Sequence, residues 1–167
     1  MKTYVMIPTY NERENIGNLI QEILNLKISD LRIVVVDDNS PDGTSVVVKD
    51  LSGEHQEVEL LLRTTERGRG AAGIAGFKHA LEHGADCIIE MDADFSHHPK
   101  YIPSMLAAIQ NADMVIGSRF ISGGEDVNRG IMRKVITLLA GIYVRVLLGL
   151  KIRDVSSSYR CFKQKVL

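Results

Sequence analysis

A chain of 167 residues is long enough for one domain with a real core and short for two. Hydrophobic residues make up 45% and charged residues 25% of it, the proportions of an ordinary soluble globular domain. At a net charge of −1 no global field recruits nucleic acid or an anionic membrane, so nucleic acid is not an expected partner and any basic site is local. Cys87 and Cys161 have no paired spacing and read as reduced, intracellular thiols rather than a disulfide or zinc framework. The N-terminus enters a strand within its first few residues, which leaves no room for a signal peptide. The longest apolar stretch, residues 135–150, is interrupted by Arg145 and is short for a bilayer span.

The predicted elements alternate strand and helix, the signature of a parallel α/β sheet. A short strand over 4–7 is stopped by Pro8. Asn11 caps a helix, with Glu14 completing a capping-box-like arrangement before the apolar face of Ile16, Leu19, Ile20 and Ile23. Residues 31–36 are β-branched and apolar on both faces, as in a central parallel strand. The turn-rich loop Asp37-Asp38-Asn39-Ser40-Pro41-Asp42-Gly43 follows, then a helix from about Thr44. A third strand covers 58–63, followed by a Gly-rich loop and a helix to about His83. A fourth strand covers 87–91, a helix 99–111 and a fifth strand 114–117. Residues 119–130 form a polar, glycine-containing loop, 132–148 a long apolar-rich helix, and the chain ends soon after 156–162. No repeat, low-complexity tract or linker divides residues 1–167, which read as a single domain.

Polar residues collect where strands end. Tyr10, Asn11 and Glu12 follow the first strand, the 37–42 cluster follows the second, and Asp92 and Asp94 follow the fourth. Open α/β sheets bind ligands at the carboxyl ends of their strands, beside a topological switch point. Asn11 and Asp42 are explained as caps of the next helix. The Asp92-Ala93-Asp94 step is not, because no helix follows it at once. Two carboxylates one residue apart repel each other unless a cation lies between them, and Mg²⁺ or Mn²⁺ binds through one or two carboxylates plus substrate phosphates. The step therefore points to a metal–diphosphate site.

Other patterns compete. Gly68-Arg69-Gly70-Ala71-Ala72-Gly73 matches the dinucleotide fingerprint, but that fingerprint belongs in the first tight strand-to-helix turn and here follows the third strand. The segment reads instead as a loop that brings Arg67 and Arg69 towards substrate phosphates, or as a plain surface loop. Asp37-Asp38 also suggests a phospho-receiver site, where the acidic pair would follow the first strand and not the second. His79 and His83 share a helix face without a third ligand at a recognisable spacing, so an exposed face is expected. His97 and His98 adjoin Asp94 and suit either ligation or support of a ligand.

Ile7-Pro8-Thr9-Tyr10-Asn11-Glu12-Arg13-Glu14-Asn15, Val35-Val36-Asp37-Asp38-Asn39-Ser40-Pro41-Asp42-Gly43-Thr44, Met91-Asp92-Ala93-Asp94-Phe95-Ser96-His97-His98-Pro99 and Gly117-Ser118-Arg119-Phe120 together resemble the family 2 glycosyltransferases. Within that family the pattern is most similar to the dolichyl-phosphate (polyprenyl-phosphate) mannose synthases. The resemblance implies an α/β GT-A fold, a nucleotide-sugar donor (GDP-mannose first, UDP-glucose or another nucleotide sugar as the alternative), a polyprenyl or dolichyl phosphate acceptor, and Mg²⁺ or Mn²⁺. It implies that Pro8, Tyr10, Glu12, Val36 and Asp38 hold the donor's base and ribose. Asp92, Ala93 and Asp94 would meet the diphosphate and metal, with Asp92 and Asp94 as metal ligands. Ser96 falls near the metal, and Arg119 and Arg133 match arginines that serve phosphate groups, a task suited to the planar guanidinium fork. Asp154 is a secondary candidate for base or orienting group, with turn capping as its alternative.

Two departures from the pattern stand out. Ser158 occupies a place where the family usually has glycine, and a glycine that needed positive φ would leave serine strained. The chain also ends near Leu167, short of a further strand, basic residues and amphipathic helices of the relatives, so a donor-binding fragment without catalysis is the reading from a different class. The resemblance further implies a cytoplasmic location, peripheral at the membrane face. The helix at 132–148, with Arg133 and Lys134 at its start, either lies against the membrane surface or packs in the core.

Overall fold

The computed structural model describes residues 1–65, 67–118, 121, 143–144, 147–149, 154 and 156–167. Most of the predicted loop over 119–130 and helix over 132–148 lie outside the described residues, as do Arg119 and Arg133. The described chain runs β1 (Thr3–Thr9), α1 (Arg13–Asn25), β2 (Leu31–Asp37), α2 (Thr44–Glu54), β3 (Val58–Leu62), α3 (Arg69–Glu82), β4 (Cys87–Glu90), α4 (Ile102–Ala108), β5 (Met114–Ile116) and β6 (Arg160–Lys163). Short 3₁₀ turns flank α4 at Pro99–Tyr101 and Ile109–Asn111.

The strands form one six-stranded sheet in the order β3-β2-β1-β4-β6-β5. Parallel pairing joins β1 to β2 and β4, and β2 to β3. Both faces are covered, as parallel sheets require: Ile33, Val34, Val35 and Val36 of β2 are fully buried. Alternate residues serve opposite faces. Val5, Ile7, Ile33 and Val35 pack with Ile16, Leu19, Ile20 and Ile23 of α1 and Val48 of α2. Tyr4, Met6, Val34 and Val36 pack with Ala72 and Ala80 of α3. The contact with α3 is close, because a Cβ on Gly76 would sit 2.5 Å from Met6 Cγ and 2.9 Å from Val36 Cγ2.

The sheet splits at one place, and there the site forms. β1 pairs with β2 as far as Thr9↔Asp37, but with β4 only as far as Met6↔Glu90. Beyond Met6 the two strands part and leave a crevice at a switch point, since β2 and β3 lie to one side of β1 and β4 to the other. Pro8 does not stop β1 as expected; the strand continues to Thr9. The Met6 carbonyl accepts from the Met91 N–H, and Pro8, of the same parity, faces the side where β4 has already ended. Its missing N–H therefore breaks no ladder bond.

Three further points depart from the sequence reading. Asn11 does not cap α1: it sits at φ 60°, Glu12 holds the N-cap position, and no side chain of the helix's own end caps it. The loop after β2 supplies the acceptors instead. The N–H groups of Asn11, Glu12 and Arg13 donate to Ser40 Oγ, Thr44 Oγ1 and Asp42 Oδ2, each at 3.0 Å. Second, the Gly-rich segment is not a loop throughout, because α3 starts at Arg69 and takes in Gly70 and Gly73. Third, β6 was not anticipated. It runs antiparallel between β4 and β5 and sets Cys161 beside Cys87, two buried free thiols with sulfurs 3.1 Å apart.

Candidate active site

A cleft of about 520 Å³ opens at the parting of β1 and β4, a size typical of small-molecule sites. Pro8, Thr9, Tyr10 and Glu12 line it from the end of β1, Asp38 from β2, and Asp92, Ala93 and Asp94 from β4. Arg67, Gly68, Arg69 and Ala72 close it from the start of α3. Seven of the sequence-predicted residues thus meet in one place. Val36 and Ser96 do not line the cleft: Val36 is buried against α3, and Ser96 serves Asp94.

The two aspartates after β2 divide their tasks. Asp37 is fully buried and accepts from Thr9 Oγ1 at 2.9 Å, from the Ser40 N–H at 2.9 Å and from Ser40 Oγ. That network stiffens the loop and turns its neighbour towards the cleft. Asp38, 5% exposed, accepts from Arg63 Nη1 at 2.6 Å and from the Gly68 N–H at 2.7 Å. Gly68 reaches it at φ 129°, a conformation that favours glycine. Each Asp38 oxygen keeps a lone pair for a ligand donor.

The D-x-D loop is held more tightly. Asp92 donates its N–H to His97 Nδ1 at 2.9 Å and accepts from Ser158 Oγ at 3.0 Å on Oδ2. Arg69 Nη2 contacts Oδ1 at 2.5 Å. His97 Nδ1 also lies 3.7 Å from Asp92 Oδ2, so the ring touches both the backbone and the carboxylate of Asp92. The imidazole, 7% exposed, stacks on Tyr159 with centroids 4.9 Å apart and supports the loop. His98 Nδ1 accepts from the Lys100 N–H at 3.3 Å. Neither histidine lines the cleft.

Asp94 is exposed towards the cleft, and its Oδ1 accepts from the Ser96 N–H at 3.0 Å. Burial works to raise its pKa, but the Ser96 hydroxyl and amide outweigh it and hold the carboxyl below the usual range. Asp94 is therefore an ionised carboxylate that faces the cleft. Glu90, at the end of β4, goes the other way: burial raises it, against the pull of Arg69 and Arg160.

Asp154 does not line the cleft formed by the described residues. It is buried, and its Oδ1 accepts from the Ser156 N–H and hydroxyl at 3.2 and 2.9 Å, the turn-capping role. His79 is not simply exposed, since its Nε2 contacts Glu59 Oε2 at 2.5 Å and its ring stacks on His83 at 4.2 Å. Sequence reasoning did not find Arg63, Glu90 or Tyr159. The signal for the first two was a charged residue ending an apolar strand.

Residues 4–167 match glycosyl transferase family 2, and the chain belongs to that family. It is 41% identical over 167 residues to an undecaprenyl-phosphate mannosyltransferase of Micrococcus luteus, covering 100% of this chain and 68% of that protein. It is 40% identical over 168 residues to a polyprenol monophosphomannose synthase of Mycolicibacterium smegmatis, covering 99% and 63%. A mannosyltransferase from Pyrobaculum calidifontis, solved with GDP-Man and Mn²⁺, shares the fold with a TM-score of 0.63 at 19% identity, over 99% of this chain and 45% of that one. The α/β fold with a mostly parallel sheet is therefore the GT-A fold expected from the motifs.

Proposed function

We propose that this chain is the donor-binding, catalytic part of an inverting mannosyltransferase that moves mannose from GDP-mannose to a polyprenyl or dolichyl phosphate. One observation carries the reading: Asp92 and Asp94 stand across the β1–β4 crevice from Asp38, with Tyr10 and Pro8 between them. The names of the two mannosyltransferase relatives support the sugar and the lipid-phosphate acceptor. The fold neighbour with GDP-Man and Mn²⁺ supports the donor.

The donor set fits a hard divalent ion completed by phosphate oxygens. Among the described residues no group of three or more His, Cys, Asp or Glu converges on one point, and Mg²⁺ or Mn²⁺ needs only one or two carboxylates when a diphosphate supplies the rest. Asp94, assisted by Asp92, would hold it. Such an ion neutralises charge on a departing nucleoside diphosphate. The remaining work falls to the chain. Tyr10, 53% exposed, offers a ring face to the base, and Asp38 accepts from base or ribose. Arg69 and Arg67 present guanidinium groups to phosphate, and Arg119 and Arg133 are assigned to phosphate by the family pattern.

The acceptor phosphate is itself the nucleophile, carrying about −1.5 to −2 charge by analogy with phosphorylated side chains. An acceptor oxygen bonds to the anomeric carbon as the bond to the diphosphate breaks, so an α-linked donor gives a β-linked mannosyl phosphate. No strong base is needed, which agrees with Asp154 being engaged in its own turn. No helix among the described residues is long and apolar enough to cross a membrane. Tyr143, Leu147 and Leu148 are more than half exposed, an apolar surface suited to a peripheral site at a membrane face.

Incubating the chain with polyprenyl phosphate, Mn²⁺ and a panel of nucleotide sugars tests the proposal. Mannosyl-phosphate product from GDP-mannose is the expected result. Product from UDP-glucose alone would reassign the donor, and metal-dependent binding without any product would make the chain a binder.

A further inference from the structure

Ser158 stands where the family pattern has glycine, and its φ is not positive, so serine is unstrained there. Its surroundings are firmly placed. Tyr159, 5% exposed, packs against Gly117, where a Cβ would come within 3.0 Å of its ring. The Gly117 N–H donates to the Tyr159 carbonyl at 2.8 Å, and the Tyr159 hydroxyl donates to the His98 carbonyl at 3.2 Å. One residue further on, Arg160 opens β6 opposite Glu90. From this rigid start of β6 the Ser158 hydroxyl donates to Asp92 Oδ2 at 3.0 Å. Arg69 contacts only the other oxygen, Oδ1.

We infer that Ser158 is a positioning residue for Asp92, tying Oδ2 to the segment that leads into β6 so that Oδ1, the oxygen paired with Arg69, is the one presented to the cleft. A carboxylate free to rotate presents either oxygen, and its ordering is then charged to ligand binding. Anchoring one oxygen beforehand removes that cost, as hydrogen-bond partners do for metal-site carboxylates generally. The tether spans 66 positions in sequence and depends on β6 lying antiparallel beside β4. It rests on the donor-site reading given above.

Calorimetry of GDP with the 167-residue chain, with MnCl₂ or with EDTA, tests it on Ser158→Ala and Ser158→Thr. Ser158→Ala is expected to weaken the Mn²⁺-dependent affinity roughly tenfold, the usual scale for one hydrogen bond to a charged group. The metal-free affinity is expected to stay unchanged, while the thermal midpoint falls by a few degrees for the lost hydrogen bond. Ser158→Thr keeps the hydroxyl and is expected to restore binding. Unchanged Mn²⁺-dependent affinity in Ser158→Ala, an equal loss with and without metal, or failure of Ser158→Thr to restore binding overturns the inference. Absence of any Mn²⁺-dependent binding by the unmodified chain overturns the donor-site reading, and this inference with it.

Discussion

Asp42 shows how much one side chain of the loop after β2 holds together. It accepts from the Arg13 N–H at the start of α1 and from the Thr44 N–H and hydroxyl at the start of α2, so a single carboxylate caps two helices. Replacing a cap with alanine costs about 0.5–2 kcal/mol, and with two helix starts involved Asp42→Ala is expected to cost about 2 kcal/mol. Burial works to raise its pKa, but the Thr44 hydroxyl, the Thr44 amide and the Arg13 amide together hold it below its ordinary 3.8. A carboxyl depressed in the folded state contributes fully above its unfolded pKa and loses that contribution as pH falls through the folded value. Urea denaturation should therefore show the deficit of Asp42→Ala at neutral pH and a shrinking one below pH 3.8. A deficit that does not change with pH would contradict the capping account. At this scale the carboxylates of the site were legible, since each follows an apolar strand. Their partners were not: Arg63 and Gly68 reach Asp38 from 25 and 30 positions away, and no local pattern encodes that meeting.

At the scale of elements, hydrophobic periodicity exposed β1 to β5 and α1 to α4, because each buries a stripe or both faces of a long enough run. The start of α1 was misread because its caps come from the neighbouring loop and not from its own sequence. β6 went unseen because it is four residues long and takes its place by pairing with strands far away in sequence, β5 on one side and β4 on the other, 74 positions distant at the two cysteines. α3 carries a different message. Gly76 lies inside a helix, where glycine costs about 1 kcal/mol relative to alanine, yet it lets the helix settle onto Met6 and Val36. Gly76→Ala gains that propensity but forces a Cβ within 2.9 Å of the stiff Val36 methyl. Overpacking of this kind costs about 1–3 kcal/mol, so a net loss of about 1 kcal/mol is expected. Since α3 also carries Arg69, chemical denaturation and GDP affinity should both weaken. A stabilised Gly76→Ala would show that α3 moves freely over the sheet.

For the whole molecule, the sheet's handover from β2–β1 to β4 is what makes the site. Six strands in the order β3-β2-β1-β4-β6-β5 bring carboxylates from β2 and β4 to opposite lips of one crevice, while α3 covers it with cations. The sequence pattern predicted that convergence from the order of polar loops. It could not predict that β6 lies beside β4 and brings Ser158 to Asp92. The most direct test of the account is calorimetric titration of GDP-mannose into the 167-residue chain with Mn²⁺ and with EDTA, alongside Asp94→Ala. The account predicts binding that is strengthened by Mn²⁺ in the unmodified chain, and loss of that strengthening in a folded Asp94→Ala. Equal affinity with and without the metal, or Mn²⁺-dependent binding that survives in Asp94→Ala, would contradict it.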